Sequence, residues 1–421
     1  MSIGYACLTL GVPDTAIKKC MMKNADEVRL HALISENLSA LERMVTYNIN
    51  NGIRLFRISS DIIPFASNPV NAIPWALVYG ERLAAIGQKV RQSGMRVSMH
   101  PDQYTVLNSL NDDTVSGAVA ELTYHTRFLD SLQVDDTNKI ILHVGGAYGD
   151  KEAAMRRFCK NYDALDSRIK ARLVIENDDT IYNIQEVLAL GVKCRIPVVF
   201  DNLHNQTNPA LADMDEPQWI KECKQTWMEK DGRQKIHYSQ QDAGKKPGGH
   251  SSSIGIDAFL RFYQSLGEEK PDIMLEVKDK NISATKCVLC TLEKGEISSL
   301  EREWARYKYL VLEHSQQAYQ SIRTLLKNKS AYPAIAFYRV VEEALKQPVH
   351  SGSALNAAAH VWGYFKETAN AREKAGVAKS MAEYEVGKGQ LALLKRRLYS
   401  LAKTYEQQYL LESYYFNDMT E

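Results

Sequence analysis

Eight short apolar runs punctuate the first two thirds of the chain, each rich in β-branched residues and bounded by polar or turn-forming positions. They predict strands at Ile3–Thr9, Leu55–Ser59, Arg96–His100, Lys139–His143, Arg172–Glu176, Pro197–Asp201, Lys235–Ser239 and Ile273–Val277. Between them, apolar residues recur every three to four positions. That spacing predicts amphipathic helices, among them Glu36–Asn48, Trp75–Gln92, Val115–Leu132 and Ile184–Leu190. Strands that alternate with helices give a parallel α/β fold, and eight strands close a TIM (β/α)8 barrel of about 250 residues. A doubly wound open sheet would place a glycine-rich phosphate turn after an early strand. None is present there; Gly145 and Gly146 follow the fourth strand.

Near Leu300 the pattern changes. Glu301–Tyr415 lacks strand-like runs, is dense in Leu, Ala, Lys, Glu and Tyr, and predicts several helices punctuated by Pro333 and Pro348. The expected organisation is a barrel over residues 1–285, a linker over 286–300 signalled by charged residues, and an all-helical C-terminal domain over 301–421.

The 421 residues suffice for a large barrel and a smaller partner domain. A formal net charge of +1 carries no global basic signature, so nucleic acid, if bound, must meet a local patch. No run of about 18 apolar residues predicts a membrane span. The start, Met-Ser-Ile-Gly-Tyr, has no basic segment leading into an apolar one. Seven scattered cysteines suit reduced thiols in a cytosol, and Cys287 with Cys290 forms a C-x-x-C that lacks a second pair. A cytoplasmic location is expected, with the nucleoid as the site of action if the source is bacterial.

The strand ends carry the chemistry. In a parallel barrel they converge on one rim, where active sites are built. The third predicted strand ends in His100, the fourth in His143, the fifth in Glu176. The sixth supplies Asp201 and His204, the seventh His237 with His250 in the loop beyond, and the eighth Glu276. Alone, each reads as a hydrogen-bonded histidine or a salt-bridged carboxylate. Together, clustered carboxylates require a compensating cation. Imidazole with carboxylate suits Mn2+, Zn2+ or Fe2+ better than Ca2+ or Mg2+. Eight candidate ligands exceed the needs of one ion, so a cluster of two or three is expected. Such clusters suit phosphoester hydrolysis. Sugar isomerases and epimerases also use metal-bearing barrels, so the rim leaves both reactions open.

The stretches "GYACLTLG", "LFRISSDIIPFAS", "SMHPDQY", "LHVGGAYGDK", "LVIENDD", "VVFDNLHN", "KIHYSQQD", "PGGH" and "MLEVKDK" occur in an order that resembles the ultraviolet damage endonucleases. The resemblance covers residues 1 to about 285. It implies a metal-dependent repair nuclease that nicks duplex DNA immediately 5′ of cyclobutane pyrimidine dimers, 6-4 photoproducts and abasic sites. The products would carry a 3′-hydroxyl and a 5′-phosphate, and downstream excision-repair enzymes would follow. It assigns metal ligation, Mn2+ favoured, to His100, His143, Glu176, Asp201, His204, His237, His250 and Glu276. Catalysis falls to Lys235, Glu176 and His237.

The resemblance also implies that Gln103 and Tyr104 probe the duplex at the lesion, with Tyr5 a second aromatic nearby. A ring can fill the gap left by an extruded base, and damaged dinucleotides cost less to extrude. Lys245 and Lys246, in "DAGKKPGGH", are natural phosphate contacts. Arg156 and Arg157 suit a solvated helix face better than a DNA contact. Two fates stand open for Lys235: carboxylation and reach to the metals, or an ordinary lysine pairing with Glu176 or a phosphate. One position departs from the family, which has a histidine ligand where this chain has Asn68. A neutral amide oxygen is a weaker donor, so one ion is expected to be held less tightly. Asn68 alone favours a third reading, a binding module with a decayed metal site; eight intact candidate ligands oppose it. The stretches "RYKYLVLEHSQQAY" and "HVWGYFK" resemble the helical domain of unknown function DUF1722 (YbgA-like), over about residues 302–418. His314 and His360 lie in those motifs, with core or hydrogen-bonding roles expected.

Overall fold

A computed structural model describes residues 1–211 and 214–419. The chain divides into two compact units, Met1–Thr9 with Asp14–Thr285, and Leu10–Pro13 with Lys286–Glu421.

The first unit is a closed barrel of eight parallel strands paired in sequence order, the eighth closing on the first. They are β1 (Ile3–Ala6), β2 (Leu55–Ile58), β3 (Arg96–Met99), β4 (Ile140–His143), β5 (Leu173–Glu176), β6 (Val198–Asp201), β7 (Lys235–Tyr238) and β8 (Asp272–Leu275). Seven of the eight predicted runs contain their strands, trimmed at one or both ends; the eighth, Ile273–Val277, is shifted, since β8 begins at Asp272 and ends at Leu275. Closure demands a tight β1–β2 approach, and Gly4 supplies it. A Cβ there would lie 1.7 Å from the Leu55 carbonyl oxygen, so no larger residue fits. Alternation sends Ala6, Leu55 and Met274 into one small cluster and Ile141, Val174 and Val199 into another.

The predicted helices form, with shifted ends and one break. Glu36–Asn48 is the interior of a helix over Glu27–Asn50, begun by the Asp26 side chain accepting from the Arg29 amide. Trp75–Gln92 breaks at Tyr79 into Trp75–Val78 and Gly80–Gln92. Val115–Leu132 lies within Asp112–Ser131 apart from its last residue, and Ile184–Leu190 extends to Cys194.

The second unit is helical. Helices Ile297–His314, Ser351–Trp362 and Leu391–Thr404 enclose Leu312, Val361, Leu394 and Leu398. Glu313 and Lys395 pair inside it at 3.1 Å.

Two expectations are corrected. Residues 286–300 are not an extended linker: a helix spans Asn281–Thr291, another begins at Ile297, only residues 292–296 lie between them, and Cys287 and Cys290 are buried. Of the charges that suggested exposure, Lys286 is buried against Glu342 at 2.7 Å, whereas Glu293 and Lys294 are exposed in the short turn between the two helices. Nor are all thiols reduced, since Cys159 and Cys194 form a disulfide across a sequence separation of 35. Spacing gave no sign of it, because the two meet only when helices Lys151–Asp163 and Ile184–Cys194 pack side by side. Among the described residues no helix is long and apolar enough to cross a membrane.

Candidate metal centre at the barrel mouth

Strand register assembles the mouth. His143 lies opposite Glu176 across β4–β5, and Asp201 lies opposite His237 across β6–β7. Asp201 ends β6 and caps the helix Asn202–Thr207, its Oδ1 accepting from the His204 amide at 2.8 Å. One carboxylate thus turns the chain and fixes the histidine three residues on. Asn177, fully buried, braces the turn. Its Oδ1 accepts from the Asp201 amide at 2.9 Å, and its carbonyl accepts from His204 Nδ1 at 2.8 Å.

Glu176 is buried at the centre. His237 Nδ1 is 2.6 Å from its Oε1, His100 Nε2 is 3.2 Å and His143 Nε2 3.7 Å from its Oε2, and His204 Nδ1 is 3.8 Å from its Oε1. Glu276 lies 3.3 Å from His237 and accepts from Arg57 at 2.6 Å. Three ligand groups result, each with its donor atoms within 4.8 Å of one another: His100, His143 and Glu176; Glu176, Asp201 and His204; and Glu176, His237 and Glu276. All share Glu176.

The electrostatics suit cations. Burial would raise the Glu176 pKa, but the charge of His237 and hydrogen bonds from His100 and His237 hold it well below the carboxylate range. Burial likewise opposes ionisation of Glu276, and Arg57 and His237 outweigh it. Burial, helped by the neighbouring His100 and His204, drives His143 down to about 4 against the pull of Glu176. At His204 burial is outweighed by Asp201, Glu176 and Glu276, which lift it to about 9. Asp201 Oδ2, His143 Nδ1 and His237 Nε2 are buried with no hydrogen-bond partner. Donors left unsatisfied beside so concentrated a carboxylate–imidazole set fit a site made for ions.

The remaining expected residues divide. Gln103 and Tyr104 line a cavity of about 810 Å³ together with His143, His204 and His250, and Tyr104 is 75% exposed. His250 borders the mouth without joining any of the three groups. Lys246 is exposed, whereas Lys245 is drawn to Asp242 at 2.6 Å. Asn68 uses its amide oxygen to accept from the Val70 amide at 3.0 Å. Tyr5 is corrected: it is 0% exposed, its hydroxyl bonded to Thr9 and to Asn48 at 2.9 Å, and its ring 5.2 Å from Phe56. It faces the helix layer and cannot meet a base. Lys235 is wholly buried in the barrel with no hydrogen-bond partner on Nζ, so it does not pair with Glu176. Burial, then Arg96, hold its pKa well below the lysine range against the pull of Asp272. Arg156 lies beside Glu152 on the surface, as a solvated face requires, but Arg157 donates to the Asn108 carbonyl at 3.0 Å. His314 bonds to the Gln347 carbonyl at 2.6 Å, and His360 is exposed. Sequence reading missed Arg57. Its signal was available: it stands inside "LFRISS", on the same face of β2 as Leu55.

Fold and mouth together define a class: a parallel barrel with a candidate imidazole–carboxylate metal centre at the C-terminal ends of its strands. Comparison narrows it. Residues 2–308 match the family model UV-endonuclease UvdE, and residues 308–419 match a protein of unknown function, DUF1722. A UV DNA damage endonuclease of Clostridium perfringens (strain 13 / Type A) is 37% identical over 403 residues, covering 94% of this chain and 95% of that one. One of Bacillus cereus (strain G9842) is 31% identical over 299 residues, covering 68% of this chain and 93% of its own. The crystal structure of SacUVDE superimposes with a TM-score of 0.65 at 37% identity, covering 68% of this chain and 96% of that one. The chain belongs to the UV-endonuclease UvdE family, with a DUF1722 domain at its C-terminus.

Proposed function

We propose that this chain is a metal-dependent repair nuclease that nicks duplex DNA immediately 5′ of UV photoproducts, cyclobutane pyrimidine dimers and 6-4 photoproducts, and of abasic sites. The observation that carries this reading is the Glu176 carboxylate shared among three ligand groups. It matches the demand of phosphodiester hydrolysis for more than one cation near the reacting phosphate. Two or three ions, Mn2+ favoured, would be held by His100, His143, Glu176, Asp201, His204, His237 and Glu276, with His250 at the border and the Asn68 amide a weak donor. When bound, such a group acidifies water and offsets charge on the phosphate oxygens.

The chain's own residues do the rest. Arg57 pins Glu276, and Asn177 orients Asp201 and His204. His204 carries a proton below about pH 9 and must release it to become a ligand, so ion capture expels a proton. Lys235 stands one layer below His237, and burial pushes its amine well below the lysine range, which eases loss of its proton. Once deprotonated, such an amine would add carbon dioxide to give a carbamate and a proton, creating a further anion inside the barrel. Gln103 and Tyr104 meet the lesion, and Lys246 with Lys245 meets phosphate. Water adds to phosphorus as the P–O3′ bond breaks. The proton passes to O3′, leaving a 3′-hydroxyl and a 5′-phosphate. Downstream excision-repair enzymes would act on that nick, in a cytoplasm or nucleoid.

The test is a labelled duplex with one photoproduct, incubated with Mn2+. The expected result is a single cut directly 5′ of the lesion with those end groups, and a rate lowered about ten- to a hundredfold in Lys235→Met. Equal cutting of undamaged duplex, or no cutting, overturns the reading.

A further inference from the structure

The loop after β4 holds a residue with no part in the ligand groups. Tyr148 has φ +51°, the left-handed region that a bulky side chain rarely adopts, between Gly145 at +107° and Gly149 at +81°. The residue remains 44% exposed. That combination is costly in two ways: the backbone is strained, and apolar ring surface is left in water.

The surroundings hold the ring in place. The Arg157 guanidinium lies 5.4 Å from its centroid and is itself fixed by the Asn108 carbonyl at 3.0 Å. The ring edge packs on Gly146, where an added Cβ would come within 2.9 Å of it. The Gly146 carbonyl in turn accepts from Asn108 Nδ2 at 2.8 Å and from the Tyr182 hydroxyl at 3.1 Å. This ring lines the same cavity as Tyr104, His143 and His204.

We propose that Tyr148 is a second, preorganised aromatic contact for the DNA, its ring stacking on a nucleobase beside the scissile phosphate. This rests on the nuclease reading. A planar ring accepts any base, because every base has a π-face, so Tyr148 adds affinity without adding sequence preference. Tyr104 projects freely, and Tyr148 is clamped, which divides the work between an adaptable ring and a fixed one.

The decisive variant is Tyr148→Gly. Glycine tolerates the positive φ, so it removes the ring while relieving the backbone. In full-length protein with a chelator present, the expected outcome is a melting temperature that does not fall. Binding of a photoproduct duplex should weaken about tenfold, the loss of one stacked base. Tyr148→Phe should bind as the parent does. A 2-aminopurine placed next to the cut site should be quenched by the parent and by the Phe variant but not by the Gly variant. In Mn2+, the Gly variant should show a raised KM with kcat kept within about twofold. Unchanged affinity and quenching in the Gly variant overturn the proposal while leaving the nuclease reading intact. A parent that neither binds nor nicks any lesion duplex overturns both.

Discussion

Both oxygens of Glu176 face imidazoles, Oε1 toward His237 and His204 and Oε2 toward His100 and His143. A residue common to three ligand groups has a different mutational signature from one that serves a single group. Replacing Glu176 with glutamine removes a charge from every group, whereas Asp201→Asn touches one. Metal counting by mass spectrometry on purified protein should therefore find under half the parent's ions in Glu176→Gln and a partial loss in Asp201→Asn. In the same measurement Asn68→His should raise occupancy above the parent. Equal occupancy in the parent and Glu176→Gln would remove the shared carboxylate from the account. Most of this constellation was legible in the sequence, since His100, His143, Glu176 and Asp201 close predicted strands and β-strand period puts His237 on the face of Lys235. Tyr5 was not. Alternation separates two faces of a strand but does not say which one looks into the barrel, and Tyr5 faces the helix Glu27–Asn50.

At the level of elements, the helix Asp112–Ser131 supports the mouth through His125. Its Nδ1 meets the Glu121 carbonyl at 2.7 Å and its Nε2 the Ser60 hydroxyl at 3.0 Å; Ser60 donates to the His100 carbonyl at 2.7 Å. Burial lowers the His125 pKa to about 4. The unfolded chain takes up this proton near pH 6.5, and the folded chain refuses it until about pH 4. The associated stability is full above pH 6.5 and is lost as pH falls through that window, by up to about 3 kcal/mol. Urea unfolding of the parent between pH 7 and 4 should fall more steeply than that of His125→Gln. Coincident slopes would exclude His125 as the cause. Helix starts were harder to read than helix bodies. Glu27, Arg29 and His31 make the first turns of Glu27–Asn50 polar, so the apolar period emerges only further on.

For the whole molecule, the two units have separate cores and separate family matches. The Bacillus cereus relative spends 93% of its length on 68% of this chain, about the share that the barrel makes up. A chain ending at Lys294, past the helix Asn281–Thr291, should therefore nick a photoproduct duplex within about threefold of the full-length rate. A folded truncate that has lost nicking would assign the helical unit a part in the reaction. Strand order was visible because local apolar runs announce it; the change of pattern near Leu300 falls inside the second unit, which resumes at Lys286. The Lys286–Glu342 pair, 56 residues apart, was not visible, because only the folded chain brings its members together. Arg57, 2.6 Å from Glu276, has a consequence at this scale. A permanent countercharge is built into the wall of the barrel, so the scaffold does not wait for ions to reach its shape. Chelator-stripped protein should stay folded and recover on resupply, which makes the centre a rechargeable fitting rather than a keystone.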